Sequence, residues 1–159
     1  MENENSSAAL ALTSIIEVRG SCLCGGIAFE ITGPLLNPLN CHCSQCRKQH
    51  GAAFRSRVRI AAKDFRWLKG EHLIKYYESP RGYQRGFCSE CGSPIINRAG
   101  PNWQAPATFP DTTPQYGIAL ALLEDPPARP ECHVFVGSKA PWFEITDDLP
   151  RHAEYPPPD

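Results

Sequence analysis

A mainly β, loop-rich domain stapled by metal is the fold class this sequence predicts, on three observations. Seven of its eight cysteines fall into three tight groups, Cys22 and Cys24, then Cys41, Cys43 and Cys46, then Cys88 and Cys91, the kind of spacing that metal ligands show. Sixteen prolines and twelve glycines are scattered along the chain and work against long helices. Between them run short stretches in which apolar and polar residues alternate, the period of a half-buried strand. At 159 residues the chain is most simply one domain with a core of ordinary size.

Taken in order, residues 1–18 read as a flexible leader. The acidic start, Met1 to Asn5, lacks the basic stretch of a signal peptide. The apolar run from Ala8 to Ile16 is short and broken by Thr13 and Ser14, so no membrane span is expected. The domain should occupy 19–150. Its first strand is signalled by Ile27, Phe29 and Ile31 alternating with Ala28 and Glu30. The one plausible helix is short, from about Ser44 to His50, stopped by Gly51. A strand follows in which Phe54, Ser56, Val58 and Ile60 alternate with Arg55, Arg57 and Arg59. Further β-like runs cover 73–77, 83–87, 94–97, 116–122 and 133–136. Residues 99–114 carry Pro101, Pro106, Pro110 and Pro114 and read as a long loop, a place where substrate preference is often set. A proline-rich extended tail is expected over 151–159.

Charge narrows the partners. The formal net charge is −1, with both signs mixed along the chain, so the basic footprint of a nucleic-acid binder is missing and none is expected as partner. Without a signal or membrane segment, a cytoplasmic, reducing setting is expected, where clustered thiols do metal or redox chemistry. Disulfides within the groups are poorly placed, since residues two apart rarely bridge. Homo-oligomerisation is left open by the sequence.

Counting ligands divides the cysteines. Phe87-Cys88-Ser89-Glu90-Cys91-Gly92 is a knuckle-type half-site that needs two more ligands. Adding the triplet would give five thiolates, whereas adding Cys22 and Cys24 gives a closed set of four, tying together a loop of ~60 residues. A structural zinc is expected there, contributing to folding. Cys41, Cys43 and Cys46 remain as three ligands for a second, catalytic zinc whose fourth position is open to water or substrate. His42, His50 or the Cys132-His133 pair could instead close that site, making the second zinc structural; Cys132 alone reads as a small buried hydrophobe before a strand. Three thiolates make zinc a weak Lewis acid for activating water, yet leave a bound substrate thiolate electron-rich, so chemistry at sulfur is expected.

Gly20-Ser21-Cys22-Leu23-Cys24-Gly25-Gly26, Asn40-Cys41-His42-Cys43-Ser44-Gln45-Cys46-Arg47-Lys48, Gly51-Ala52 and Phe87-Cys88-Ser89-Glu90-Cys91-Gly92-Ser93 together resemble the glutathione-dependent formaldehyde-activating enzyme family, which includes a vertebrate centromere protein. The segment from Cys132 to Trp142, with Asp147-Asp148-Leu149-Pro150 after it, is similar to that family's C-terminal part. The resemblance implies a β-tent fold with short helices and long loops, a structural zinc on Cys22, Cys24, Cys88 and Cys91, and a second zinc on Cys41, Cys43 and Cys46. It also implies condensation of glutathione with formaldehyde to S-hydroxymethylglutathione or the reverse, a carbon-sulfur lyase reaction serving formaldehyde detoxification. Glutathione has two carboxylates, so cations should line its site, and Arg47, Lys48, Arg55 and Arg57 are the candidates, with Arg85 and Trp142 behind them. The arginine row itself reads more readily as a solvated strand face. A lyase or isomerase of the same fold on another substrate, and a zinc-held binding module without catalysis, are the alternatives.

Overall fold

The computed structural model describes residues 16–105 and 114–156. The mainly β class is what it shows, in two open sheets. Three strands, β1 (Glu17–Ser21), β2 (Ala28–Thr32) and β5 (Phe65–Lys69), form an antiparallel sheet in the order β1-β2-β5. The larger sheet has seven strands: β3 (Leu36–Cys41), β4 (Arg55–Ala61), β6 (Ile74–Ser79), β7 (Tyr83–Cys88), β8 (Pro94–Ala99), β9 (Gln115–Ala119) and β10 (His133–Val134). Their order is β10-β3-β4-β9-β8-β7-β6, antiparallel throughout except for the β10-β3 pair. One α-helix, α1 (Ser44–His50), joins β3 to β4. Among the described residues no helix is long and apolar enough to cross a membrane.

Most of the core is a single cluster. Ile27, just ahead of β2, and Phe29 and Ile31 from the small sheet meet Val58, Ile60, Ile95, Ile96 and Ile118 from the large one, and Cys22 and Cys88 are part of the same cluster. Phe29 stacks on Phe65 with ring centroids 5.3 Å apart and meets Trp67 edge-on. On the small sheet Glu30 is buried beneath Arg19 and Arg66, its cross-strand neighbours on either side. A second, smaller cluster gathers Leu39, Cys41, Cys46 and Val134, with Cys43, Cys132 and Phe135 packed against it.

Several boundaries differ from those the sequence suggests. β1 begins at Glu17, inside the stretch read as leader, because Val18 enters the core; residues 1–15 lie outside the described residues. The run expected over 116–122 leaves the sheet at Ala119 and turns through a 3-10 segment at Leu120–Leu122. The tail docks on the body rather than extending freely. His133 N–H donates to Pro150 O (2.8 Å), His152 N–H to His133 O (2.8 Å), and Tyr155 packs edge-on against Phe135. Residues 106–113 of the long loop and 157–159 of the tail also lie outside the described residues.

Candidate active site

The two cysteine pairs arrive on similar turns. Cys22 directly follows β1 and its C=O accepts from Gly25 N–H (3.0 Å); Cys88 ends β7 and its C=O accepts from Gly92 N–H (2.8 Å). Each turn then needs a left-handed residue, supplied by Gly25 (φ 71°) and Gly92 (φ 76°). The four sulfurs lie within 4.8 Å of one another. Cys22 Sγ and Cys24 Sγ are 3.4 Å apart, and Cys24 Sγ and Cys88 Sγ 3.9 Å. Tetrahedral zinc with bonds of about 2.3 Å holds sulfurs about 3.8 Å apart, so the set fits that ion. Ile27 N–H points at Cys22 Sγ (3.2 Å), as backbone amides do toward a thiolate. The hydroxyl and N–H of Ser93 pull Cys91 down to about 6. Cys24 is pushed up to about 12: the Gly26 N–H favours its thiolate, but proton sharing with Cys22 and Cys91 outweighs that.

The triplet forms at the start of α1. Cys41 ends β3, Cys43 is the helix N-cap in an extended conformation (φ −61°, ψ 151°), and Cys46 N–H donates to Cys43 Sγ (3.4 Å). The helix ends at Gly51 in the left-handed conformation, as its sequence predicts. The three sulfurs again lie within 4.8 Å of one another. Cys41 and Cys46 are buried and Cys43 is half-buried, so Cys43 marks the accessible side. Cys43 is pulled down to about 2 by S–H donation from Cys41 and Cys46, while Cys41 is pushed up by the same sharing and by burial. A divalent cation bound here would take the place of the thiol protons, which makes its affinity depend on pH. All-thiol donors in this number suit zinc.

No histidine joins the triplet's sulfurs among the described residues. His42 and His133 are committed elsewhere: His42 Nε2 lies 2.7 Å from His133 Nδ1, and His133 Nε2 lies 3.0 Å from Asp147 Oδ2. If His133 Nε2–H donates to Asp147, His133 Nδ1 accepts from His42 Nε2–H. Burial holds His42 neutral, its titration pushed down to about 4. His50 is likewise pushed down to about 4, by burial and then by Arg55 and Arg85.

A groove of about 490 Å³ runs between α1 and strands β6 to β8, lined among others by Gln45, Lys48, Gln49, Tyr77, Arg85 and Phe87. Its lining includes Gln45 and Gly92, the sequence neighbours of Cys46 and Cys91, and no cysteine of either set. Arg85 Nη1 donates to Gln49 Oε1 (2.7 Å) and Arg85 Nη2 to Gln45 Oε1, so the guanidinium is held in place across the groove. Of the four cations expected from sequence, only Lys48 lines it. Arg47 turns back along the helix and donates to His42 O (3.3 Å). Arg55 and Arg57 are buried, which corrects the solvated-face reading of the arginine row: they share the face of the sheet that carries the buried Cys41 and Leu39, their cross-strand partners on β3. Arg55 Nη2 donates to Gly117 O (2.9 Å). Gln45 and Gln49 were missed by sequence reasoning, although their spacing of four on α1 places them with Lys48 on one face. Tyr77 carried no comparable signal. Trp142 is exposed at a separate hollow with Lys139, Phe143 and Arg151. Trp103, at the start of the long loop, rests on Tyr83 with ring centroids 4.9 Å apart.

The pattern of a family described as glutathione-dependent formaldehyde-activating enzyme matches residues 17–138. A protein of Halomonas elongata, provisionally named as a glutathione-dependent formaldehyde-activating enzyme, is 30% identical over 135 residues, 80% of this chain and 80% of that protein. A crystal structure of a Rhodobacter sphaeroides protein is 25% identical and covers 70% of this chain and 97% of that one, with a TM-score of 0.49.

Proposed function

The chain belongs to the glutathione-dependent formaldehyde-activating enzyme family, and from that premise we propose that it is a zinc-dependent carbon-sulfur lyase joining glutathione to formaldehyde or separating them. The observation that carries this reading is the triplet: three converging sulfurs on which, among the described residues, no fourth donor is gathered, at the start of a helix whose Gln45, Lys48 and Gln49 line a groove of about 490 Å³, within the size range of small-molecule sites. Cys22, Cys24, Cys88 and Cys91 would hold a structural zinc, and Cys41, Cys43 and Cys46 the reacting one. Zinc at the triplet would supply a coordination position where a thiol loses its proton yet stays nucleophilic.

The chain's own residues do the rest. Half-buried Cys43 leaves the open side of the triplet facing the substrate, and the walls of β3 and α1 behind Cys41 and Cys46 keep bulk water out. Lys48 and Arg85 receive carboxylates of a glutathione-sized thiol, and the amides of Gln45 and Gln49 hold Arg85 in register for that contact. In the joining direction the sulfur forms a bond to the formaldehyde carbon, and the proton lost from sulfur is balanced by one gained at the former carbonyl oxygen. The reverse direction breaks the same C–S bond and returns the proton to sulfur.

Metal analysis with a calorimetric glutathione titration and exchange NMR of a glutathione-formaldehyde mixture tests the reading. Two zinc equivalents, glutathione binding lost in Cys43→Ser, and faster exchange support it. Two zincs without glutathione affinity refute glutathione as substrate, and no gain in exchange refutes catalysis.

A further inference from the structure

Arg55 and Arg57 are a pair of buried cations with no carboxylate partner among the described residues. Their side chains leave β4 on the same face, two residues apart, and only 5% and 6% of each residue is exposed. Among the described residues no carboxylate lies within ion-pair distance of either one; the acidic partners are taken by Arg19, Arg66, Lys63 and His133. The partners of Arg55 are neutral carbonyl oxygens, Gly117 O and, with the Asn97 amide turned to satisfy its neighbours, Asn97 Oδ1 at 2.7 Å. Arg55 Nε and Arg57 Nη1 are buried with no hydrogen-bond partner.

Such a pair is costly. A buried charge without an opposite charge is among the least favourable things a core can hold, and two like charges on one strand face repel as well. In the β3-β4 ladder Arg57 stands directly opposite Leu39, a buried neighbour of Cys41 and Cys46 in the smaller core cluster. Cys41, the first sulfur of the triplet, stands directly opposite Arg55 in the β3-β4 ladder.

We infer that Arg55, with Arg57 next to it on the same strand face, is a positioning residue that supplies counter-charge to the metal-loaded triplet and to the substrate thiolate joining it. The inference rests on the triplet binding a divalent cation, as proposed above. Three thiolates around one divalent cation carry one net negative charge, and a fourth thiolate from substrate makes two. Arg55, opposite Cys41, meets that charge first, and Arg57 lies one step further along the same face. The row is then neither a solvated face nor a substrate-contacting wall: it holds a three-ligand metal that would otherwise leave more easily than one in a closed four-thiolate site.

The test uses the full chain in its one-zinc form (four-cysteine site filled) and its two-zinc form. Zinc affinity of the weaker site is read by competition with a chromophoric chelator, for the wild type and for Arg55→Met, Arg57→Met, Arg55→Lys and Arg57→Lys. Arg55→Met should weaken zinc at the triplet on the order of tenfold, the scale of one nearby unit charge at a partly screened site, Arg57→Met by a smaller factor because it is further along the ladder, and both should leave the four-cysteine site unchanged. The one-zinc form of each Met variant should melt no lower than wild type, because an uncompensated buried charge has been removed. The Lys variants, which keep the charge, should stay within about threefold of wild type. Unchanged triplet affinity in the Met variants, an equal loss in the Lys variants, or a Met variant that fails to fold with the first site filled would each overturn the inference. If wild-type chain takes up no second metal, the lyase reading itself fails, and that is seen before any variant is made.

Discussion

Replacing Cys88 by Ser should cost far more stability than replacing Cys43 by Ser, although each removes one thiolate from one cluster. Cys88 is fully buried in the main core and belongs to a site that joins Cys22 and Cys24 to residues 64 positions further on. Treating the metal as a cross-link, closing a loop of that length removes about 4 kcal/mol of chain entropy from the unfolded state. The triplet spans only Cys41 to Cys46, and the same relation gives about 2 kcal/mol. A buried Ser hydroxyl in place of the Cys88 thiol adds about 1–3 kcal/mol if it finds no partner. For a chain of this size 1 kcal/mol moves Tm by about 2–4 °C. Cys88→Ser should therefore melt at least about 8 °C below wild type, with Cys43→Ser in between. The assay is a calorimetric melt of each protein with zinc counted in the same sample. Cys88→Ser should lose the first metal, and Cys43→Ser only the second. A Cys43→Ser melt as low as that of Cys88→Ser, or loss of both metals from it, would refute the division of the cysteines into a fold-holding set and a reacting set.

Further outcomes follow from particular contacts. Gly70 adopts φ 74°, and a Cβ there would lie 2.1 Å from Gly26 O in the first cysteine turn; Gly70→Ala should cost more than about 1 kcal/mol and speed chelator removal of the first metal, read from urea melts and zinc release. Arg66, followed by Arg19, holds the Glu30 carboxyl below the usual carboxylate range. Because its folded value is depressed, its contribution is present above the unfolded value of about 4.3 and is lost as pH falls through the folded one. Glu30→Gln should therefore flatten the stability profile between pH 5 and the onset of acid unfolding, compared by urea melts across about pH 3–5; a profile as steep as wild type would remove Glu30 from the acid response. Arg85→Met should weaken glutathione roughly tenfold or more, as loss of a charge-assisted contact does, with zinc content unchanged; calorimetry reads both, and undiminished affinity would place the substrate outside the groove.

Much of this protein is legible in one dimension because its ligands come in local pieces. Cys88 and Cys91, or Cys22 and Cys24, are brought together by turns only a few residues long, so spacing alone groups them, and the need for four ligands pairs the groups. The same holds for α1, where Gly51 marks the stop and the intervals from Gln45 to Lys48 and Gln49 mark a shared face. Strand β3 was not read, since Pro38 and the positive φ of Asn37 interrupt its pattern and its ladder to β4 slips between Leu36 and Leu39. The docked tail was not read either, because Pro150 and His152 are held by backbone bonds to His133, which no composition reveals.

The arginine row shows where local reading stops. Alternation along 54–60 says which side chains share a face, and that much the chain determines by itself, as it does the mainly β class and the grouping of the thiols. Whether that face meets water depends on what lies beside and above the strand. Only the tertiary structure puts β4 between β3 and β9 with α1 against it, burying Arg55 opposite Cys41 and Arg57 opposite Leu39 and leaving Lys48 and Arg85 to face the groove. The physical reason is range: ligand spacing and turns are set by neighbours a few residues apart, whereas burial of a charge is set by elements far apart in sequence, as when Arg57 on β4 pairs with Ala119 on β9.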